Sequence, residues 1–338
     1  MSAIPQGSLV LVTGVNGYIA SHVALQLLER GFRVRGTVRH GYKADYMHAV
    51  FDDRFGPGVF ETLVVAEMSL PGAFDEAVQG CSAVMHVASD LTLNPDPNKV
   101  IPVVLSGVHN ALSAASRCPS IKRFVYTSSS AAITAPIANA KFHIDATMWN
   151  QADVDLALAP PPYTEHRRLA VYAASKTLAE KACWDFMHSE KPAFVLNTVL
   201  PNCNIGKILS KHQPASTGGW YKKMWDGDTE ILKLLWNFPP QHYVNVTDTA
   251  LLHMAALLEE DVVGERLLAF AGPFNWNDTV ELLGKIAGNG EKKWQRMTHD
   301  PRDLKTVDTA RSVELLRRYG RPGFASLEAS LRESVYSY

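Results

Sequence analysis

The chain has 338 residues, of which 46% are hydrophobic and 20% charged, so it holds ample material for a core and is not globally disordered. Its 33 basic and 34 acidic side chains leave a formal net charge of -1, which argues against nucleic acid or an anionic membrane surface as partner. No run approaches the roughly 20 apolar residues that span a bilayer, and residues 1–8 lack the basic and apolar regions of a signal peptide, so a cytoplasmic location is expected.

From residue 9 onward, short β-branched apolar runs alternate with longer amphipathic ones. Residues 9–13 (LVLVT) read as a strand, and 21–30 as a helix closed by Gly31. Strands are expected at 32–38, 61–67, 83–88, 124–127 and 194–200, and helices at 74–79, 103–116 and 171–187. Apolar strands separated by crossover helices imply a parallel sheet covered on both faces. After Pro201 the rhythm changes, and Gly218, Gly219, Trp220, Trp225, Trp236, Pro239 and Pro240 crowd one stretch. A helix at 249–258 returns to the sheet, and another is expected at 312–318. The class is α/β: a doubly wound parallel-sheet Rossmann fold with a smaller C-terminal substrate lobe. Residues 1–200 and 244–264 form the expected dinucleotide domain, and 201–243 and 265–338 the lobe over the carboxyl ends of the strands, where ligands bind in open α/β sheets.

Between the first strand and the first helix runs Thr13-Gly14-Val15-Asn16-Gly17-Tyr18-Ile19-Ala20. Gly14 permits a sharp turn, Gly17 lets backbone approach a pyrophosphate, and Ala20 is small enough for close packing. The helix start offers free N–H groups and the positive end of a dipole. The spacing is G-x-x-G-x-x-A, a variant of the general dinucleotide fingerprint. Near the end of the second strand, Arg33-Val34-Arg35-Gly36-Thr37-Val38-Arg39 contains no carboxylate to hold a ribose 2′-hydroxyl. Arg39 can instead fork onto a 2′-phosphate, with Lys43 adding charge. NADPH is therefore the expected cofactor.

Tyr172-Ala173-Ala174-Ser175-Lys176 holds a Tyr-x-x-x-Lys pair on an expected helix, where residues i and i+4 share a face. The spacing alone is a weak signal. An ammonium beside the phenol would lower its pKa of about 10 toward the range of proton exchange. Thr127-Ser128-Ser129-Ser130 follows the fifth strand, and one of these serines can donate to a developing alkoxide. No nucleophile elbow surrounds them. Four cysteines stand far apart and twelve histidines lack paired metal spacing, so reduced thiols and no metal are expected, with His86 packed near the cofactor.

Taken together, SLVLVTGVNGYIASHV, RFVYTSSSAA, VYAASKTLAEKACW, FVLNTVLPNCNIG, STGGW and GRPGFASLEASLRES resemble the extended short-chain dehydrogenase/reductase family, in the branch of dihydroflavonol reductases and NADPH-dependent carbonyl and aldehyde reductases. The resemblance implies Ser129 as the catalytic serine, Tyr172 as the acid and Lys176 as its ribose-binding partner. It implies Gly14, Asn16, Gly17, Tyr18 and Ile19 at the pyrophosphate, and Arg39 and Lys43 at the 2′-phosphate. Glu67 and Met68 would stand where the family carries Asp–Leu against adenine. Val87, Ala88 and Ser89 would line the cofactor, with Pro201 and Asn204 beside the nicotinamide. Substrate contacts are expected at Thr134, Trp220 and Trp225, and Thr134 in place of the plant-type asparagine argues against a true dihydroflavonol reductase. The implied protein is a monomer or homodimer that reduces a small-molecule carbonyl substrate. Two alternatives stand beside it. One is a nucleotide-sugar epimerase or dehydratase, for which the acidic second-strand residue and the Asp-Glu pair are missing. The other is a non-catalytic dinucleotide sensor, which would not need Tyr172 and Lys176.

Overall fold

The computed structural model describes residues 2–288 and 294–338. Met1 of the expected dinucleotide domain and residues 289–293 of the expected lobe lie outside them. The elements in chain order are β1 (Leu9–Val12), α1 (Tyr18–Glu29), β2 (Arg33–Val38), α2 (Asp45–Phe55), β3 (Phe60–Val64), β4 (Ala83–His86), α3 (Pro97–Ser116), β5 (Arg123–Thr127), β6 (His143–Ile144), α4 (Gln151–Leu158), α5 (Arg168–Glu190) and β7 (Val195–Pro201). There follow β8 (Cys203–Ile205), α6 (Ser216–Trp225), α7 (Thr229–Trp236), β9 (Gln241–Asn245), α8 (Val246–Leu258), β10 (Arg266–Ala269), β11 (Gly272–Phe274), α9 (Trp276–Ala287), β12 (Thr306–Val307), α10 (Ala310–Arg318) and α11 (Leu327–Val335).

Among the described residues, seven strands form one sheet in the order β10-β7-β5-β4-β1-β2-β3, every neighbouring pair parallel. The chain runs outward from β1 through β2 to β3, then crosses back to β4 and proceeds the other way. That reversal leaves a crevice between β1 and β4 at the carboxyl edge. The alternation of β1 shows why both faces are covered. Val10 and Val12 join the cluster under α1, α2 and α8, whereas Leu9 and Leu11 join the cluster under α3 and α5.

Several expectations shift. Residues 74–79 form turns rather than a helix. Phe74, Ala77 and Val78 are nevertheless buried, so the apolar spacing that suggested a helix serves packing alone. Helix α3 begins earlier than expected because Asp96 caps it, accepting from the Asn98 N–H, with Pro97 in its first turn. Residues 266–269, expected in the lobe, are β10 at the edge of the main sheet, paired with β7. Their four-residue RLLA run was too short to separate from its surroundings.

A second sheet, β11-β9-β8, stands with α6, α7, α9 and α11 around a further apolar cluster. No helix among the described residues is long and apolar enough to cross a membrane.

Candidate active site

A cleft of about 480 Å³ opens at the carboxyl edge beside the β1/β4 crevice, a size suited to a small ligand or part of a larger one. Gly14, Asn16, Gly17, Tyr18, Ile19, Arg39, Lys43, Glu67, Met68, Val87, Ala88, Ser89, Ser129, Tyr172, Lys176, Pro201 and Asn204 all line it. Residues from both halves of the sheet therefore meet in one place, although up to about 190 positions separate them in sequence.

The glycine turn is built by close approach. Gly14 has φ +63°, and a Cβ on it would stand 3.1 Å from the Ala88 Cβ. Its N–H donates to Thr37 Oγ1 at 3.1 Å, and the Val15 N–H to the Thr37 carbonyl at 3.0 Å, fixing the turn to β2. Thr13 Oγ1 accepts from the Val87 and Ala88 N–H groups, both at 3.0 Å, which fixes it to the end of β4. Gly17 stands at the N-cap of helix α1, which has no side-chain cap and no acid in its first turn. Its leading N–H groups and positive dipole end therefore remain available at the cleft.

Arg39 is exposed and Lys43 half-buried at the rim. Glu67 is turned aside by its own loop: its Oε1 accepts from the Ser69 Oγ at 2.7 Å and the Ser69 N–H at 3.2 Å, which holds its carboxyl below the usual range. The Ser89 hydroxyl is buried on the cleft wall without a protein partner. A buried hydroxyl of that kind is a group a ligand would satisfy. The uncapped helix start, the two cations and the orphaned Ser89 hydroxyl fit a 2′-phosphorylated dinucleotide.

At the other end of the cleft, α5 presents Tyr172, Lys176 and Glu180 at successive i+4 positions. The Lys176 amine, 3% exposed as a residue, donates to the Thr127 carbonyl at 2.8 Å and lies 5.0 Å from the Tyr126 ring centroid. Burial lowers its pKa to about 8, against a raising pull from Glu180. The Tyr172 pKa moves opposite to the expected direction. Burial raises it, and a hydrogen bond with the Ser129 side chain draws it partly back. The amine is turned toward the end of β5, so the low-dielectric setting outweighs the expected lysine effect.

Both Ser128 and Ser129 line the cleft, but their hydroxyls have different partners. Ser128 donates to Glu180 Oε2 at 2.6 Å in the core, while Ser129 meets Tyr172. Thr134, Trp220 and Trp225 do not line this cleft. Thr134 donates to the Ala135 carbonyl at 3.1 Å. Trp220 packs edge-on to Phe238, and Trp225 against Trp294 and Tyr336, within the apolar cluster of the lobe. Their aromatic density marks a small core needing large side chains. Ser216 and Thr217, at the start of α6, reach the cleft instead, together with Thr37, Asp90 and Leu91. His86 lies behind the glycine turn, its Nδ1 3.2 Å from Thr13 Oγ1, and burial lowers its pKa to about 3.

The sequence model of the NAD dependent epimerase/dehydratase family matches residues 10–207. Over 99% of this chain and 97% of the relative, the sequence is 41% identical to Aldehyde reductase 2 of Sporidiobolus salmonicolor. It is 39% identical to the ketoreductase adrE of Penicillium rubens, over 98% of this chain and 97% of that protein. The solved structure of Gre2 from Candida albicans in complex with NADPH is similar at a TM-score of 0.79 and 27% identity, covering 98% of each chain. With a family match across most of the dinucleotide-binding half and end-to-end similarity to reductases, the chain belongs to the NAD dependent epimerase/dehydratase family, the extended short-chain dehydrogenases/reductases.

Proposed function

We propose that this protein is an NADPH-dependent reductase that converts aldehydes and ketones to alcohols. The observation that carries the reading is the meeting of the Tyr172 phenol, the Ser129 hydroxyl and the Lys176 amine in the cleft that also holds the glycine turn and Arg39. Bound NADPH supplies the hydride for the carbonyl carbon. Everything else falls to the chain. Arg39 and Lys43 hold the 2′-phosphate, and the start of α1 holds the pyrophosphate. The Ser129 and Tyr172 hydroxyls hold the carbonyl oxygen, and Tyr172 passes its proton to that oxygen as negative charge develops there. A phenol whose pKa is raised by burial is fully protonated at neutral pH, which suits a donor. Lys176 then stabilises the phenolate left behind.

Apolar, aryl- or ester-bearing carbonyl compounds suit the cleft wall formed by Leu91, Val87, Phe74 and Pro201. A cytoplasmic location is supported by the free thiols of Cys81, Cys118, Cys183 and Cys203. An epimerase or dehydratase reading has less chemistry behind it, because Arg39 lines the cofactor end and Ser130-Ala131 follows the catalytic hydroxyl.

The test is NADPH oxidation followed spectroscopically across aldehydes, α- and β-keto esters, diketones and aryl ketones, with chiral analysis of the alcohols. Turnover of some of these with NADPH is expected. No turnover across the panel, together with interconversion of nucleotide sugars, would replace the reductase reading with the epimerase one.

A further inference from the structure

Beneath the cleft floor lies a charged pair that the proposed reaction does not touch. Glu180 is fully buried and shares α5 with Lys176, one turn away. Its carboxylate gathers donors from three strands. Ser128, at the end of β5, donates to Oε2 at 2.6 Å, and Thr198, on β7, donates to Oε1 at 2.8 Å. Arg266, on β10, donates through Nε to Oε1 at 2.8 Å and through Nη2 to Oε2 at 3.2 Å. Arg266 is itself fixed, with Nη1 donating to the Ala146 and Met148 carbonyls at 2.6 and 2.8 Å and its guanidinium 3.8 Å from the Trp149 ring centroid. A bidentate pair anchored this firmly is a rigid object.

We infer that Glu180, anchored by Arg266, is a positioning residue for the active site: it binds the Ser128 hydroxyl, leaving Ser129 to face Tyr172, and sets a fixed negative charge one helix turn from the Lys176 ammonium. The inference rests on the reductase reading for what Lys176 does, but not for how Lys176 is held.

The geometry makes the direction of the effect definite. Among the described residues, the titratable groups facing the Lys176 amine are Glu180, Cys183 and Tyr172 on α5, Tyr126 on β5 and His86 on β4. Tyr126, Cys183 and His86 are buried groups held neutral, since burial raises the first two and lowers the third. Tyr172 is likewise a neutral phenol in the resting site. Glu180 is thus the opposite charge that offsets the burial of the amine, and Arg266 orients the carboxylate without facing the amine directly. The two hydroxyls separate because Ser129 stays extended (φ -160°, ψ 154°), so consecutive side chains point to opposite faces.

The test measures Lys176 itself. Competitive acetylation with acetic anhydride across a pH series, read peptide by peptide by mass spectrometry, gives the titration midpoint of that amine whether or not the enzyme turns over. In the wild-type protein the midpoint is expected at about 8. In Glu180→Gln, which keeps the shape and an acceptor oxygen, it is expected to fall by about one pH unit. Should that variant not fold, Glu180→Gln/Arg266→Gln removes both buried charges together, and a smaller fall is expected because loss of the guanidinium charge partly offsets loss of the carboxylate. Ser128→Ala, which leaves the carboxylate in place, should keep the wild-type midpoint. An unchanged midpoint in a folded Glu180 variant overturns the inference, as does an equal shift in Ser128→Ala. A wild-type protein that titrates as expected but reduces no carbonyl would count against the proposed function and leave this inference standing.

Discussion

The side chains of Ser128 and Ser129 face opposite ways: the first donates to buried Glu180 at 2.6 Å, and the second, on extended backbone, lines the cleft with Tyr172. Adjacent hydroxyls of identical chemistry therefore have separable roles. Ser128 completes the donor set around a buried carboxylate, and the proposed reaction gives Ser129 the oxygen-binding corner.

Mutation of the two serines should split accordingly. Ser129→Ala is expected to lower kcat roughly 100-fold or more, as loss of one positioned donor does, with a stability loss of about 0.5–2 kcal/mol from the cap its hydroxyl gives the Ala131 N–H. Ser128→Ala should cost about 1–3 kcal/mol of stability by leaving Glu180 one donor short. Tyr172→Phe should lose about 10²–10⁴-fold in kcat, the usual contribution of a positioned acid, while still quenching with NADPH. Steady-state kinetics and thermal melts on the three variants check this. Equal turnover by Tyr172→Phe and the wild type would remove the proton donor from the mechanism.

The pH dependence follows from the same corner. Lys176, lowered by burial to about 8, carries its charge below that pH and loses it above. The proposed reduction needs the protonated pair, so kcat/KM for a ketone should be level at neutral pH and fall by up to tenfold per unit above about pH 8. Oxidation of the corresponding alcohol should rise over that same range. A reductive profile still level at about pH 10, where a free phenol titrates, would contradict the assignment.

Preference for the phosphorylated cofactor should reside in Arg39. Its guanidinium lines the cleft at the end of β2, where Glu67 is occupied by Ser69. Hydrogen bonds to a charged group contribute about 1.5–3 kcal/mol, so Arg39→Ser should weaken NADPH binding about 10- to 100-fold. NADH binding should change little. Fluorescence titration with both cofactors makes the comparison, and parallel losses for the two would assign Arg39 a structural role.

The cofactor end of this site was legible in the sequence because it is local. Gly14, Gly17 and Arg39 fall in one βαβ unit, where turn, helix start and strand end succeed each other in order. Tyr172 and Lys176 were legible because a single helix turn joins them. Arg266 was not, since it reaches Glu180 across 86 positions and its strand is only four residues long. The direction of the Tyr172 shift was missed for a related reason: spacing reveals a neighbouring charge but not the depth of burial that outweighs it. Trp220 and Trp225 misled because aromatic rings fill a small core as readily as they line a pocket.

Gly36 offers a test of the fold beneath the cofactor turn, and its need for glycine shows only in three dimensions. A Cβ there would stand 2.3 Å from Val15 Cγ1, and Val15 is fully buried in the turn whose N–H donates to Thr37. Gly36→Ala must therefore displace Val15, at a cost of about 1–3 kcal/mol for overpacking. Because Val15 lies between Gly14 and Gly17, the displacement should also weaken NADPH binding. Val15→Ala removes Cγ1 and Cγ2 but leaves its own Cβ 2.7 Å from the added one, so the double variant should recover only part of the stability and affinity lost in Gly36→Ala. Contacting residues that share one space couple by about 0.5–3 kcal/mol. Denaturation and NADPH titration on the wild type, both single variants and the double variant measure that coupling, and additive effects would mean that the approach of β2 to the turn is not what requires glycine at this position.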